Sequence, residues 1–151
     1  MKNKIISVLL LIAGIAMTAI PLNTDCAAHG HFMKNGQPMG CHYSAIGLTI
    51  LGGVVIVAAL LAIFIKNRGV SIVMYLLAAV AAVLGYLIPR GIIKIGNGVP
   101  MKEGGWMCGV CKSPDMACHQ SMMPIMNIVL GVVLALSIIG LIMRFLGRRE
   151  G

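Results

Sequence analysis

Thiols, imidazoles and thioethers recur in this chain in a fixed order. The six-residue pattern Met-x-Cys-His-x-Ser occurs as Met39-Gly40-Cys41-His42-Tyr43-Ser44 and again as Met116-Ala117-Cys118-His119-Gln120-Ser121, each time directly before a long apolar run. The apolar runs upstream of the two copies also end alike, at Ile20-Pro21 and Ile88-Pro89. All five cysteines and all four histidines lie in the two polar stretches that these landmarks bound, residues 21–43 and 89–124. The candidate metal ligands are Cys26, His29, His31, Met39, Cys41 and His42 in the first stretch, and Cys108, Cys111, Met116, Cys118 and His119 in the second. Thiolate and thioether are soft donors that suit copper(I), and thiolate with imidazole suits zinc(II).

Three chemistries use such residues. Five cysteines allow two disulfides and leave one thiol over. Cys26 with Cys41, and Cys118 with Cys108 or Cys111, are reasonable pairs, although spacing does not fix connectivity. Staples of this kind give His29, His31, His42, His119 and the methionines no task. A copper or zinc site employs them directly, with two equivalent half-sites meeting across the axis of a duplicated fold. Thiol–disulfide exchange is the third chemistry, with Cys108-Gly109-Val110-Cys111 as its Cys-x-x-Cys. Haem attachment is excluded, because Lys112 follows that motif where histidine is required. Ser44 and Ser121 are expected to cap the helices that follow. This would set Cys41 and Cys118 near helix N-termini, where the dipole favours thiolate.

The elements that position these groups are set by hydropathy. The chain has 151 residues, 59% hydrophobic and 11% charged, with a mean hydropathy of +0.97. A soluble domain has nowhere to bury so much apolar surface. Four runs approach the ~20 apolar residues needed to cross a bilayer, approximately 5–20, 45–65, 70–88 and 125–145. In lipid a backbone must satisfy its own hydrogen bonds, and these runs lack the alternation of barrel strands. The expectation is an all-α, four-helix transmembrane bundle of two related hairpins, with residues 1–151 as one integral membrane domain. Lys2 and Lys4 before a short apolar run also describe a signal peptide. The cleavage site at Met17-Thr18-Ala19 is weak and the duplication requires a partner for each helix, so the first helix is expected to be retained.

Charge gives the topology. Lys2, Lys4, Lys66, Arg68, Arg144, Arg148 and Arg149 cluster at one end with a single acid, Glu150. The positive-inside rule then puts both termini in the cytoplasm and both Cys-rich loops outside, at a cell (inner) membrane. The net charge of +8 reflects this topology and not nucleic-acid binding, since no aromatics interleave with the basic residues. The spans carry Thr49, Ser71, Asn127, Ser137, Tyr75 and Tyr86, but no Asp, Glu, Lys, Arg or His in their centres. Pumps and proton-coupled carriers generally place such groups on their pathway. Small residues, Ala78 with Ala82, Ala81 with Gly85, and Gly52-Gly53, suit close helix packing.

Met39, Cys41 and His42 before the second helix, and Cys111, Met116 and Cys118 with Pro114 between them before the fourth, resemble the motifs of a domain-of-unknown-function family of short bacterial and archaeal membrane proteins. The resemblance covers nearly the whole chain. It implies four helices, important outer cysteines, and a role accessory to a neighbouring membrane transport complex. A weaker, architectural likeness links the chain to quinone-linked disulfide oxidoreductases, which are also four-helix bundles with outer cysteine pairs. The sequence thus reads as a non-enzymatic accessory membrane protein whose outer cluster is disulfide-stapled or loaded with copper or zinc, with thiol–disulfide exchange as the alternative.

Overall fold

The computed structural model describes residues 2–24, 30, 40–65, 67–90 and 118–146. They form four α-helices: α1 (Lys2–Thr24), α2 (Gly40–Phe64), α3 (Arg68–Leu87) and α4 (Met123–Leu146). A π-helical turn, Cys118–Met122, leads directly into α4. Every helix is long and apolar enough to cross a bilayer. The chain is a multi-pass membrane protein with an all-α, four-helix bundle, as its hydropathy predicts. Ile12, Ile50, Phe64 and Ile128 are 58%, 63%, 77% and 69% exposed. Lipid, not water, is the medium that tolerates such a surface on all sides.

The helices alternate in direction around the bundle. Thr49 of α2 reaches back to Thr18 of α1, Gly85 of α3 touches Leu130 of α4, and α1 also packs on α4. α2 ends at Phe64 and α3 begins at Arg68, so the connection between them is short. There Asn67 caps α3 by accepting a hydrogen bond from the Gly69 amide at 3.0 Å. Spans one, two and four extend beyond their apolar runs, because the flanking polar residues are also helical. α2 starts at Gly40, five residues before the expected Ala45, and α1 continues through Pro21 to Thr24.

The duplication is visible in the packing. Ser7 and Tyr75, which are 68 residues apart, meet across the bundle in a buried hydroxyl–hydroxyl hydrogen bond of 2.7 Å. Met17 and Gly85, with the same separation, also touch. That separation relates Ile20-Pro21 to Ile88-Pro89 as well, so equivalent positions of α1 and α3 meet near the axis of the repeat. Within it, Leu10 and Ala78, Gly14 and Ala82, and Pro21 and Pro89 are buried in pairs.

Helices α2 and α4 match in the same way, with one slip. Counting from the motif, Ala45 corresponds to Met122, and both are buried. Further along, Leu48 matches Met126, Gly52 matches Leu130, Val55 matches Val133, Ala59 matches Ser137 and Ala62 matches Gly140, all buried. The second series is one residue longer than the first. The extra residue falls between Met122 and Met126, in the first turn of α4 just after the π turn. Pro124 supplies a local cause: it has no N–H to donate, and its ring crowds the carbonyl four residues back, at Gln120. Widening that turn relieves the crowding.

Most polar groups inside the bundle are satisfied locally. Ser137 Oγ donates to the Val133 carbonyl at 2.7 Å and Thr49 Oγ1 to the Ala45 carbonyl at 2.9 Å. Ser71 is buried and its Oγ has no hydrogen-bond partner among the described residues. An unsatisfied buried hydroxyl costs roughly 1–3 kcal/mol. Ser71→Ala is therefore expected to raise unfolding stability by about 1 kcal/mol, measured by thermal unfolding in detergent. Unchanged or lowered stability would mean that the hydroxyl is satisfied in the membrane.

Candidate functional site

Both Cys-His pairs sit at helix starts, and the alternating order of the helices brings these starts to the same end of the bundle. Cys41 is the second residue of α2 and is completely buried. His42 and Tyr43 follow on the half-buried side of the turn, their rings in an edge-on contact with centroids 5.9 Å apart. Cys118 and His119 open the π-helical turn that precedes α4. That turn packs on α1 as well as on α4, with Met122 buried in the core. The same end is closed by buried Pro21, Ile88 and Pro89.

Burial of Cys41 follows from its spacing. Cys41, Ala45, Leu48, Gly52, Val55, Ala59 and Ala62 succeed one another every three or four residues and are all buried. The thiol thus occupies the first position of the helix face that builds the core. By the motif register, Cys118 holds the matching position four residues before Met122, as Cys41 stands four before Ala45.

The two serines do not cap the helices. Ser44 is buried inside the first turns of α2, and Ser121 lies within the π turn. The helices begin on the motif itself, so a residue following Cys-His is already helical. The expected proximity of Cys41 to a helix N-terminus holds without the serine cap.

The other sequence-derived candidates, Cys26, His29, His31, Met39, Cys108, Cys111 and Met116, lie outside the described residues. Among the described residues no group of three or more His, Cys, Asp or Glu could hold a metal. Cys41 and His42 by themselves provide two donors, so a complete site at this end would require the loops.

A second polar group at this end was not anticipated as a unit. Arg90 lies with its guanidinium carbon 3.4 Å from the centroid of the Tyr86 ring. It donates to the Tyr86 carbonyl at 3.0 Å and to Asn127 Oδ1 at 3.2 Å. These contacts tie the end of α3 to the start of α4. The sequence signal was present, since Arg90 and Tyr86 are four apart and Asn127 is the sole amide in its span, but pairing them requires knowledge that α3 and α4 are neighbours.

Searches of curated proteins and of solved structures return no match. Residues 4–143, from the first turn of α1 into the last turn of α4, match the sequence profile of a domain of unknown function, DUF4418. With its four membrane-crossing helices, the chain belongs to the DUF4418 family.

Proposed function

We propose that the protein is an accessory membrane component whose working surface is the outward end of the bundle, where the Cys/His/Met residues of both hairpins form one soft-cation site for copper(I) or zinc(II). The observation that carries this reading is that both Cys-His pairs open a helical segment at the same end of the bundle, each cysteine four residues before a buried core position, Ala45 or Met122. Two equivalent thiol–imidazole pairs at one end of a two-fold repeat supply the donor types that both ions accept. The remaining ligands would come from Cys26, His29, His31, Met39, Cys108, Cys111 and Met116. The positive-inside distribution of Lys2, Lys4, Lys66, Arg68, Arg144, Arg148 and Arg149 puts this end outside the cell membrane and both termini in the cytoplasm. The partner served is a neighbouring membrane transport complex, and the protein itself performs no catalysis.

Complete burial of Cys41 favours a second reading, in which the cysteines staple the outer loops to the bundle, since buried structural cysteines are chemically inert. Elemental analysis of detergent-purified protein, with thiol counting by mass spectrometry without reductant, separates the two. About one copper or zinc per chain with reduced thiols is the expected result. No metal and a single alkylatable thiol would establish two disulfides and overturn the metal site. Turnover of those disulfides with a quinone would instead identify a thiol–disulfide oxidoreductase.

A further inference from the structure

The opposite end of the bundle carries two arginines that no acid among the described residues pairs with. Arg68 opens α3 and Arg144 lies in the last turn of α4. Together with Gly69, Ile72 and Phe145 they line a cavity of about 240 Å³. Arg68 donates through Nε, at 2.9 Å, and through Nη2 to the Arg144 main-chain carbonyl. This caps the negative end of α4 and accounts for Arg68. It leaves Arg144 without an acceptor: its Nε is buried and has no hydrogen-bond partner among the described residues.

No carboxylate among the described residues neutralises the pair; the four acids of the chain, Asp25, Glu103, Asp115 and Glu150, are outside them. Two guanidinium groups on one cavity, with a buried donor unpaired, call for an anion with several acceptor oxygens. The positive end of α3 borders the same cavity through Gly69 and adds to the attraction. The walls narrow the choice of anion. Ile72 and Phe145 are apolar, Phe145 is 56% exposed, and the cavity lies at the ends of two membrane spans, at headgroup depth. A free inorganic ion gains nothing from an apolar wall, whereas a phospholipid places its phosphate on the arginines and its glycerol and first methylenes on Ile72 and Phe145.

We infer that the cleft between Arg68 and Arg144 is a binding site for the phosphate of an anionic phospholipid. The lipid fills the cavity, supplies acceptors to the Arg144 guanidinium, and ties the start of α3 to the end of α4 at the basic face of the membrane. Arg68 both caps α4 and contributes charge; Arg144 is the group that the lipid satisfies.

The test is native mass spectrometry of full-length protein in detergent, titrated separately with phosphatidylglycerol, phosphatidylcholine and inorganic phosphate. Phosphatidylglycerol is expected to bind more tightly than phosphatidylcholine and to resist displacement by inorganic phosphate. Arg144→Gln should weaken phosphatidylglycerol about fivefold, the worth of one basic residue at an anionic surface. Arg144→Lys, which keeps the charge and loses the fork, should fall between the two. Arg90→Gln, at the other end, should change nothing. Equal binding of the two lipids by the unaltered protein overturns the proposal, and this comparison needs no variant to fold. So does an Arg144→Gln protein of normal helicity with unchanged affinity. Displacement by inorganic phosphate at equal concentration overturns the lipid in favour of a free-anion site.

Discussion

Gly52→Ala is expected to destabilise the bundle by about 1–3 kcal/mol, the usual cost of overpacking, while Gly53→Ala at the next position is tolerated. A Cβ on Gly52 would lie 2.7 Å from Thr18 Cγ2, 2.9 Å from the Thr18 amide nitrogen and 3.1 Å from the Met17 carbonyl carbon. Two of these are backbone atoms of α1, which can yield only if the two helices separate. Separation also lengthens the Thr49-to-Thr18 contact, already 3.4 Å. A Cβ on Gly53 meets nothing within 4 Å, and alanine there gains about 0.5–1 kcal/mol of helix propensity where backbone entropy dominates. Thermal unfolding of both variants in one detergent gives the comparison. Equal effects would mean that α1 and α2 do not cross at Gly52.

Gly140→Ala is the second large effect, and it should be conditional on Tyr75. A Cβ there would stand 2.6, 2.7 and 2.9 Å from Cε1, Cδ1 and Cζ of Tyr75. The ring cannot swing aside freely, because it is buried and its hydroxyl is hydrogen-bonded to Ser7 across the bundle. A cost of about 2 kcal/mol is expected in the native background. In a Tyr75→Leu background, where the ring is gone, the added cost should fall below about 0.5 kcal/mol. Additive effects in that cycle would show that Gly140 and Tyr75 do not touch. Gly85 offers a contrast: its neighbours are the ends of the Leu130, Met17 and Leu48 side chains, which can rotate, so alanine there should cost less than at Gly140.

These cases show where sequence reading reaches and where it stops. The four spans were legible because hydropathy reports the lipid-facing length directly. Their ends were not, since Gly40 to Ser44 and Pro21 to Thr24 are too polar for an apolar run yet continue the helix. Gly52 and Gly53 look alike in sequence, and only the direction of α1 distinguishes them. Ser7 stood unnoticed in its apolar run because its role depends on Tyr75, 68 residues away. The candidate site was legible in its residue types and its repetition. Ser44 and Ser121 are not caps because the motif is itself helical, and the one-residue slip between Ala45/Met122 and Leu48/Met126 shows only in which positions the bundle buries.

On the proposed function, Cys41 and Cys118 belong to one shared site and not to two independent loops. The most direct test is the alkylation rate of Cys118, followed by mass spectrometry without reductant, in native protein and in Cys41→Ser, with metal content measured on the same samples. A shared site predicts that Cys41→Ser loses the bound copper or zinc and speeds modification of Cys118. An unchanged Cys118 rate with unchanged metal content, in a Cys41→Ser protein of normal helicity, would contradict it.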